Sequence, residues 1–518
     1  MKRDKLFWIL YGVLLALLLA AEGFAVAVVW RMNMLPGKYM ALLVAVLLVL
    51  WLTVGALLLP GKKKKRAGAA RQVVAVVLAV AIVVGCAVAA DVAADLHETM
   101  QAITKPMVVS ATISVYVRND DPAQGLSDAL GYTFGITGSF DVEHTEQFLD
   151  TMEQELGQQL STKSFDSVFA MIDALYAKQV GAIVINNAYV QILEDSEVYA
   201  SFTEKARVLF QVDIMEEVEI PTPPPVIGNN DEPDATGETN AENQTPEEDT
   251  VANTPFIIYI GGSDTRSTTL VSASRNDVNI LAVVNPETKQ LLLINTPRDY
   301  FVPNPAVGGA LDKLTHCGIY GIDCSVKALS DLYEVPIQYY GQINFTGFEK
   351  LVDAVGGVTV YSDVAFTARS TYVRVGENHF NGKQALEFAR ERMSLAGGDN
   401  DRGKNQMKII KAVVQEMASG AIISRYAEIL EGLQGMFNTN ISVDEISMLV
   451  KMQLSDMASW NIQTYAVSGW GGSEITCSMP GFYAYVTHPN MATVEYATEL
   501  IERVFAGEIL TQEDMQRS

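Results

Sequence analysis

The feature that most constrains this chain is its head, where three long apolar runs lie within the first 90 residues. Leu6–Trp30 is apolar apart from Glu22, Tyr39–Leu59 has 21 residues without a charge, and Val73–Ala90 has 18. A helix needs about 20 apolar residues to cross the hydrocarbon core of a bilayer. Each run is therefore predicted to span the membrane, and residues 1–96 are predicted to form a three-span anchor.

Basic residues flank these runs unevenly, which predicts how the anchor is oriented. The largest groups are Lys2, Arg3 and Lys5 before the first run and the consecutive bases Lys62–Arg66 before the third. Cytoplasmic loops of membrane proteins are enriched in Lys and Arg. We therefore expect a multi-pass cell-membrane protein with a cytoplasmic N-terminus and extracellular C-terminal domains. The alternative for the first run is a cleaved signal peptide, which would leave the location of the body unchanged.

The charge of the body excludes two broad classes of function. Residues 1–71 contain eleven Lys and Arg against two acids, whereas the whole chain has a net charge of −24. A basic apolar head thus joins a strongly acidic body. This pattern argues against a soluble cytosolic enzyme, and against a nucleic-acid partner, because phosphate backbones require a basic face.

The body is predicted to contain two α/β units joined by a linker. Residues 97–220 form an extracellular accessory α/β domain, in which strand patterns at Val109–Val117, Val180–Asn186 and Arg207–Ile214 accompany a helical pattern at Ser167–Lys178. Residues 221–253 form an acidic, Pro-rich linker that has eight acids and no bases. Residues 254–508 form a larger α/β unit, and residues 509–518 form a tail.

The larger unit alternates strand and helix patterns, which predicts a central sheet flanked by helices. The strands are Phe256–Ile260, Val278–Val284 and Leu291–Asn295; the helices are Ser325–Tyr333, Phe345–Val355, Gly382–Arg390 and Asn405–Ala418. Ligands of such sheets bind at the carboxyl ends of strands. Residues of interest should therefore follow the strands.

Arginines and aspartates cluster near these predicted ends. They are Asp264, Arg275, Asp277, Arg298, Arg390, Arg392, Asp399 and Arg402, with Gln406 one helical turn after the last of them. Arginine binds phosphate oxygens in a bidentate manner, and carboxylates suit Mg²⁺ held together with phosphates. The pattern therefore indicates a phosphate or pyrophosphate site. Alternatively, each arginine taken alone forms a surface salt bridge, and Asp264 is a turn residue.

The motifs of this unit together resemble the LytR–CpsA–Psr family over about residues 256–418. They occur in family order as Gly262-Ser263-Asp264, Arg275-Asn276-Asp277, Thr296-Pro297-Arg298-Asp299, Asp312-Lys313-Leu314, Ala354–Val358, Asn381–Leu386 with Ala389–Arg392, and Gly398–Arg402 with Gln406. The three-span head followed by an accessory domain is similar to the capsule-associated members.

The resemblance implies an extracellular phosphotransferase, with residues 254–508 as its catalytic domain. Such enzymes move a glycopolymer, for example teichoic acid or capsule, from a polyprenyl-pyrophosphate carrier to a peptidoglycan acceptor, using Mg²⁺ or alternatively Mn²⁺. It implies that Asp264 and Asp277 hold the metal, with Asp277, Arg298, Arg390 and Arg392 as the catalytic residues. The pyrophosphate ligands it implies are Arg275, Arg298, Lys313, Arg390, Arg392, Arg402 and Gln406, with Asp399 as a supporting carboxylate.

Two positions depart from the family pattern, and two other functions stay open. Asn276 stands where the family typically has Ser, and Asn405 stands where it often has a basic residue. The alternatives to the transferase are a non-catalytic polyprenyl-lipid-binding regulator of the cell envelope and a polyprenyl-pyrophosphate pyrophosphatase. Retention of the Asp and Arg positions favours catalysis.

The remaining candidate residues are the histidines, the apolar helices and the cysteines. The five histidines show no ligand-like pairing, so a Ser-His-Asp hydrolase is unsupported. A polyprenyl tail requires an apolar slot, which Phe345–Val355 and Ile409–Met417 are expected to line, unless they are ordinary core. Cys317 and Cys324 are expected to be able to form a disulfide in an exported domain.

Overall fold

The computed structural model of the chain describes residues 2–59, 65–104, 108–138, 141–193, 196, 198–217, 250–265, 270–271, 273–419 and 425–517. Linker residues 221–249 and basic residues 62–64 lie outside this part, as do the side chains of Lys2, Arg3 and Lys5. The contribution of these residues to the topology therefore rests on the sequence.

Among the described residues, three helices are long and apolar enough to cross a membrane, as predicted. They are α1 (Lys2–Arg31), α2 (Gly37–Leu58) and α3 (Lys65–Thr104). The indole Nε1 of Trp51 in α2 donates a hydrogen bond to the Leu15 carbonyl in α1 over 3.0 Å. Leu18, Val54 and Ala79 are buried where the helices meet. The helices therefore form a packed bundle.

Helix α3 is longer than a bilayer requires. Its apolar part, Ala70–Thr104, has 35 residues, or about 52 Å of helix against a hydrocarbon core of about 30 Å. In its last turns, Met100 and Ile103 pack against Leu430 of the larger unit. This packing continues the helix through the boundary predicted at residue 97, so the first globular unit begins at Val108 instead.

The accessory unit is built on a mixed sheet with strand order β3-β2-β4-β1-β5. The strands are β1 (Val108–Arg118), β2 (Thr133–Thr137), β3 (Ser161–Phe165), β4 (Ala182–Asn186) and β5 (Ala206–Glu217). The helices are α4 (Val142–Leu156), α5 (Val168–Tyr176), α6 (Asn187–Leu193) and α7 (Phe202–Lys205). Strand β1 alternates its side chains between the two faces, so Val115 packs with Phe148 of α4 and Tyr116 packs with Phe169 of α5.

The accessory unit packs directly on the larger unit. The ring of Phe169 lies 4.4 Å from that of Phe482, and Tyr199 meets Phe482 edge-on at 5.5 Å. Met479 and Ile319 of the larger unit are buried in the same cluster. The two units thus share an apolar interface.

The larger unit contains a central sheet and several two-stranded ribbons. Its strands are β6 (Phe256–Ser263), β7 (Asn276–Asn285), β8 (Gln290–Asn295), β9 (Phe301–Asn304), β10 (Ala310–Lys313), β11 (Tyr339–Asn344), β12 (Val358–Ser362), β13 (Phe366–Ala368), β14 (Thr371–Val373), β15 (Gly376–Phe380), β16 (Phe437–Thr439), β17 (Asn461–Ala466), β18 (Gly469–Ile475) and β19 (Tyr483–Pro489). Its helices are α8 (Leu314–Cys317), α9 (Ile322–Tyr333), α10 (Phe345–Ala354), α11 (Gly382–Arg390), α12 (Asp399–Met417), α13 (Tyr426–Leu433), α14 (Val443–Asp456) and α15 (Met491–Phe505).

The central sheet has the order β16-β11-β6-β7-β8-β17 and is covered on both faces. Helices α9 and α15 bury Leu329 and Leu500 on one face, and α12 and α14 pack Met407 and Met448 on the other. Strand β6 runs parallel to β11, and β8 runs parallel to β17. The carboxyl ends of these four strands therefore lie at one end of the sheet. The predicted α/β class is confirmed.

Two details of the larger unit differ from the predictions. Helix α12 begins at Asp399 rather than Asn405, because it starts directly after the Gly397-Gly398 turn. The predicted tail packs on the unit, since Leu510 is 1% exposed and Arg503 pairs with Asp514 at 2.9 Å.

Candidate pyrophosphate site

The site lies at the carboxyl ends of β6 and β8 and the start of β7. Asp264 follows β6, Arg275 and Asp277 flank the first residue of β7, and Arg298 follows β8. Gly262 brings β6 and β7 close together at this point, because a Cβ there would lie 2.6 Å from the Val278 side chain. The antiparallel pairing of the two strands thus places the Asp264 and Arg275 segments side by side.

Asp264 is held by two arginines from separate elements. Its Oδ2 accepts a hydrogen bond from Arg275 Nη2 at 3.0 Å, and its Oδ1 lies 3.7 Å from Arg390 Nη2 at the end of α11. The guanidinium of Arg390 also stacks over the Phe345 ring at 4.2 Å. The Arg275 side chain is almost fully buried, with 4% exposed.

A second group of ion pairs surrounds Arg298. Its Nη1 donates a hydrogen bond to Asp277 Oδ1 at 2.8 Å, and its Nε lies 3.5 Å from Asp299 Oδ2. Lys313 reaches the other oxygen of Asp299 at 3.4 Å. No role was predicted for Asp299, which links two predicted pyrophosphate ligands, Arg298 and Lys313.

Helix α12 supplies the third part of the cluster. Arg402 Nη2 lies 2.5 Å from Asp399 Oδ1, and Gln406, one turn further along, is 7% exposed. Asn405, the residue that departs from the family pattern, is also 7% exposed, and its Nδ2 has no hydrogen-bond partner within the described residues. A buried amide donor is thus left available at this position.

Of the predicted metal and pyrophosphate residues, all but Arg392 and Gln406 take part in these ion pairs. Arg392 is exposed just beyond the end of α11 and forms no ion pair within the described part of the chain. It lies outside the three groups of ion pairs, which are Asp264 with Arg275 and Arg390, Asp277 and Asp299 with Arg298 and Lys313, and Asp399 with Arg402. Its predicted catalytic role stays a prediction.

Burial and mutual charge shift the pKa values within the cluster. Burial, followed by the negative charge of Asp277, raises the pKa of Asp264 above its ordinary value. Burial also acts to raise the pKa of Asp277, but Arg298, Arg402 and Arg275 outweigh it and hold that pKa below its ordinary value. Burial lowers the pKa of Arg402. Closely packed, poorly hydrated cations of this kind favour an incoming anion.

The carboxylates of Asp264 and Asp277 suit a metal ion only if phosphate oxygens supply further ligands. Within the described residues, no group of three or more His, Cys, Asp or Glu side chains is arranged to hold a metal. Asp264 and Asp277 repel each other, as the raised pKa of Asp264 reflects. One or two carboxylates plus substrate phosphates is the usual protein setting for Mg²⁺. The pair fits that setting.

A buried carboxylate beside the cluster had no predicted role. Asp312, which is 0% exposed, lies 2.7 Å from His316 Nδ1 and accepts hydrogen bonds from Cys477 Sγ at 3.0 Å and from Ser478 Oγ. Burial acts to raise its pKa, but the partners, His316 foremost, lower it to about 2. The i, i+4 spacing of Asp312 and His316 was the available sequence signal. These contacts hold Asp312 in place, directly before Lys313 in the chain.

Asn276 has a structural reason for its departure from the family pattern. It is fully buried, donates a hydrogen bond to Ser325 Oγ at 3.2 Å and accepts one from Gln342 Nε2 at 3.3 Å. It therefore ties β7 to α9 and β11 and is not itself part of the ion-pair network.

The cysteines of the larger unit are free thiols in the structure. Cys317 and Cys324 are both buried. Cys324 Sγ donates a hydrogen bond to Asn304 Oδ1 at 3.3 Å, and Cys477 Sγ donates one to Asp312. The Cys317–Cys324 disulfide stays a prediction.

We expect Gly403→Ala to disturb the site through helix packing. A Cβ at Gly403 would lie 2.2 Å from Asn295 Nδ2, so α12 must move away from the end of β8 and carry Arg402 with it. We predict at least about a tenfold loss of affinity for inorganic pyrophosphate, measured by calorimetry on the full chain. Gly432→Ala in α13 is the matched control, because a Cβ there meets nothing within 4 Å. Equal affinities of both variants would contradict this account.

The chain is similar to proteins of a known family. The profile of the LytR_cpsA_psr family matches residues 227–499. Over 196 residues the chain is 33% identical to the polyisoprenyl-teichoic acid–peptidoglycan teichoic acid transferase TagU of Enterococcus faecalis, covering 38% of this chain and 64% of that protein. It is 34% identical over 194 residues to the TagU of Bacillus mycoides, covering 37% of this chain and 62% of that protein.

The chain thus spans less than two thirds of the length of either relative. Among solved structures, B. subtilis TagV aligns with a TM-score of 0.42 and 24% identity, covering 50% of this chain and 99% of that one.

Proposed function

The chain belongs to the LytR_cpsA_psr family, and from that premise we propose that it is a membrane-anchored phosphotransferase of cell-wall assembly. It would move a glycopolymer from a polyprenyl-pyrophosphate carrier to peptidoglycan outside the cell. The observation that carries the proposal is the buried cluster in which Arg275, Arg298 and Arg402 are held by aspartates at a sheet end. The names of the two TagU relatives describe the same class of reaction for those proteins.

The cluster suits a pyrophosphate because its five cations outnumber its four carboxylates, and all of them but Arg390 are largely buried. Lys313 is 5% and Arg402 8% exposed, so each is poorly hydrated. An incoming diphosphate would replace part of the carboxylate pairing with bidentate contacts to phosphate oxygens. The aspartates meanwhile keep the arginines oriented before substrate arrives.

In the proposed reaction a sugar hydroxyl of peptidoglycan attacks the phosphorus that bears the glycopolymer. A new P–O bond to the acceptor forms, the bond to the bridging oxygen breaks, the hydroxyl proton is released, and polyprenyl phosphate leaves. Catalysis of this type consists mainly of positioning and charge neutralisation. Arg298 and Arg402 would neutralise the charge that builds on the transferring phosphoryl group and on the leaving phosphate.

We further propose that Asp264 and Asp277 hold Mg²⁺, or Mn²⁺ as the alternative, together with the donor phosphates. When bound, the ion supplies charge neutralisation at the phosphate oxygens. Support comes from the mutual repulsion of the two carboxylates, which a shared cation would relieve.

This metal assignment predicts a binding difference that does not depend on turnover. With pyrophosphate present, Mn²⁺ binding to the full chain, followed by electron paramagnetic resonance, should fall at least about tenfold in Asp264→Asn and in Asp277→Asn. Because the pKa of Asp264 is raised, protons should displace the ion at a higher pH than for an ordinary aspartate. Asp363→Asn, an exposed site paired with Lys408, is the control. Unchanged Mn²⁺ binding in both site variants would remove the metal from the proposal.

The lipid end of the donor would leave the cluster along α10 and α12. Val352 of α10 and Ile409 and Val413 of α12 belong to one apolar layer. Phe345, the first residue of α10, lies under the Arg390 guanidinium. Tyr426 of α13 packs on both this layer and the tip of α3. A tail emerging here would lie near the membrane helices.

The proposed orientation places the N-terminus in the cytoplasm and both globular units outside. The basic residues of the head favour it. In addition, Lys451 and Ser455 of α14 contact Asn33 and Lys38, at the turn between α1 and α2. That turn and the larger unit therefore lie on the same side, as an odd number of spans requires.

A transfer assay tests the proposal. The full chain in detergent would be given a short-chain polyprenyl-pyrophosphate glycan, labelled in the sugar, and sacculi stripped of wall polymers. We expect label to become covalently attached to the sacculi. Label released as free phosphoglycan would indicate the pyrophosphatase, and tight donor binding without any product would indicate the lipid-binding regulator.

A further inference from the structure

The hairpin of β18 and β19 exposes large aromatic side chains on one face. Tyr483 is 74% and Tyr485 59% exposed, whereas Ala484 and Val486, which alternate with them, are buried. The hairpin is thus anchored through one face and presents tyrosines on the other. Tyrosine has an apolar ring and a polar hydroxyl, and it is enriched at binding interfaces for that reason.

This exposed face begins at the pyrophosphate site. The Thr487 amide donates a hydrogen bond to the Asp299 carbonyl at 2.7 Å, and Thr487 also bridges to Tyr300. Thr487, Tyr485 and Tyr483 share a face, two residues apart, so they form a row that leads away from the site in steps of about 7 Å. A molecule lying on this row would extend directly from the reacting phosphate.

The outer face is shaped to keep the rings accessible. Across the hairpin, Ser473 pairs with Tyr485 and Ile475 pairs with Tyr483. Gly471 lies beneath the Tyr485 ring, where a Cβ would approach it to 3.0 Å. Glycine at this position therefore leaves room for the Tyr485 side chain, which stays 59% exposed.

The charge of the hairpin distinguishes it from the neighbouring cluster. Residues 469–489 contain no Lys or Arg and a single acid, Glu474. An anionic polymer or a phospholipid headgroup would find no cation here, whereas the arginine cluster is suited to the anionic donor. The C–H faces of sugar rings are apolar and stack on tyrosine rings, so a neutral glycan backbone is complementary to this surface.

The hairpin follows the carboxyl end of β17, away from the contact between α2 and the larger unit. Lys38, at the outer end of α2, donates a hydrogen bond to the Ser455 carbonyl, and the neighbouring Asp456 pairs with Lys289 at 3.4 Å. Lys289 lies just before β8, and the site lies beyond its other end, about 20 Å away. The hairpin and the contact with α2 therefore lie at opposite ends of the sheet.

We propose that the Tyr483 and Tyr485 face binds a glycan strand of the peptidoglycan acceptor and guides its hydroxyl to the donor phosphate. The identity of this acceptor rests on the proposed function. The surface itself rests on the exposure of the rings, the absence of basic residues and the bond to Asp299.

The test measures binding of the full chain in detergent to stripped sacculi and to a hexamer of N-acetylglucosamine. Tyr483→Ala with Tyr485→Ala is expected to weaken both by about tenfold or more, while inorganic pyrophosphate binding stays unchanged. The double Tyr→Phe variant, which keeps the rings, should bind normally. The matched control is Tyr361→Ala with Tyr372→Ala, because these tyrosines are 56% and 68% exposed elsewhere on the unit.

Several results would overturn the inference. Unchanged glycan binding in the hairpin variant would do so, as would equal loss in the control. If the hairpin variant kept glycan binding but lost binding to phosphatidylglycerol vesicles, the face would be a membrane contact. If it kept glycan binding but no longer formed a dimer, the face would bind a second copy of the chain. Hairpin-dependent glycan binding without any transfer by the unmodified chain would instead count against the proposed function alone.

Discussion

Arg298→Ala is expected to lower glycopolymer transfer by about 10³-fold or more. Arg298 pairs with Asp277 at 2.8 Å and with Asp299 at 3.5 Å, and its side chain is 11% exposed. Its removal therefore takes a poorly hydrated cation out of the cluster. The two carboxylates that lose this partner would then repel the anionic donor. The measurement is the rate of label transfer to sacculi at saturating acceptor. Arg298→Lys keeps the charge but not the bidentate geometry and should be intermediate.

The control for this variant is Arg374→Ala. Arg374 is exposed and its Nε donates a hydrogen bond to the Glu377 carbonyl, away from the cluster. It should transfer at the normal rate. Asp277→Ala should lower the transfer rate about as much as Arg298→Ala does. Both variants should still show a cooperative thermal unfolding transition. Normal turnover in either would show that the reacting phosphate lies elsewhere.

Asp312→Ala is expected to destabilise the larger unit by about 3–5 kcal/mol. Its carboxylate is fully buried, and its loss leaves His316, Ser478 and Cys477 without their shared acceptor. Thermal unfolding of the full chain in detergent should show a melting temperature lower by roughly 10 °C. Asp363→Ala, where the aspartate is 77% exposed, should leave it unchanged.

The same carboxylate predicts a dependence of stability on pH. The pKa of Asp312 is about 2 in the folded chain, below the ordinary value. Its contribution is therefore fully present above about pH 4, and it is lost as the pH falls toward 2. The difference in melting temperature between Asp312→Ala and the unmodified chain should shrink over that range. A difference that stays constant would show that Asp312 does not act through its charge.

Much of the fold followed from local patterns. The long apolar runs correspond to the three N-terminal helices, and the strand patterns at Val109–Val117 and Val278–Val284 lie within β1 and β7. Arg275 and Asp277 were predicted to lie near a strand end, and the structure places both in ion pairs at the start of β7.

What could not be predicted depends on contacts between distant residues. The role of Asp299 arises from Lys313 reaching back to it, and that of Asp312 depends on Cys477 and Ser478, more than 160 residues away. The extension of α3 to Thr104 depends on packing against Leu430. The β18–β19 hairpin has a Gly-rich first strand, whose weak strand propensity hid it from pattern analysis.

The most direct test of the central claim compares release of polyprenyl phosphate from a short-chain polyprenyl-pyrophosphate glycan with and without stripped sacculi. The assay uses the full chain in detergent with Mg²⁺, beside Arg298→Ala. We predict release that requires the sacculi, is matched by sugar attached to them, and is lost in Arg298→Ala. Release that proceeds equally without sacculi, or that survives in Arg298→Ala, would contradict a transferase built on this arginine cluster.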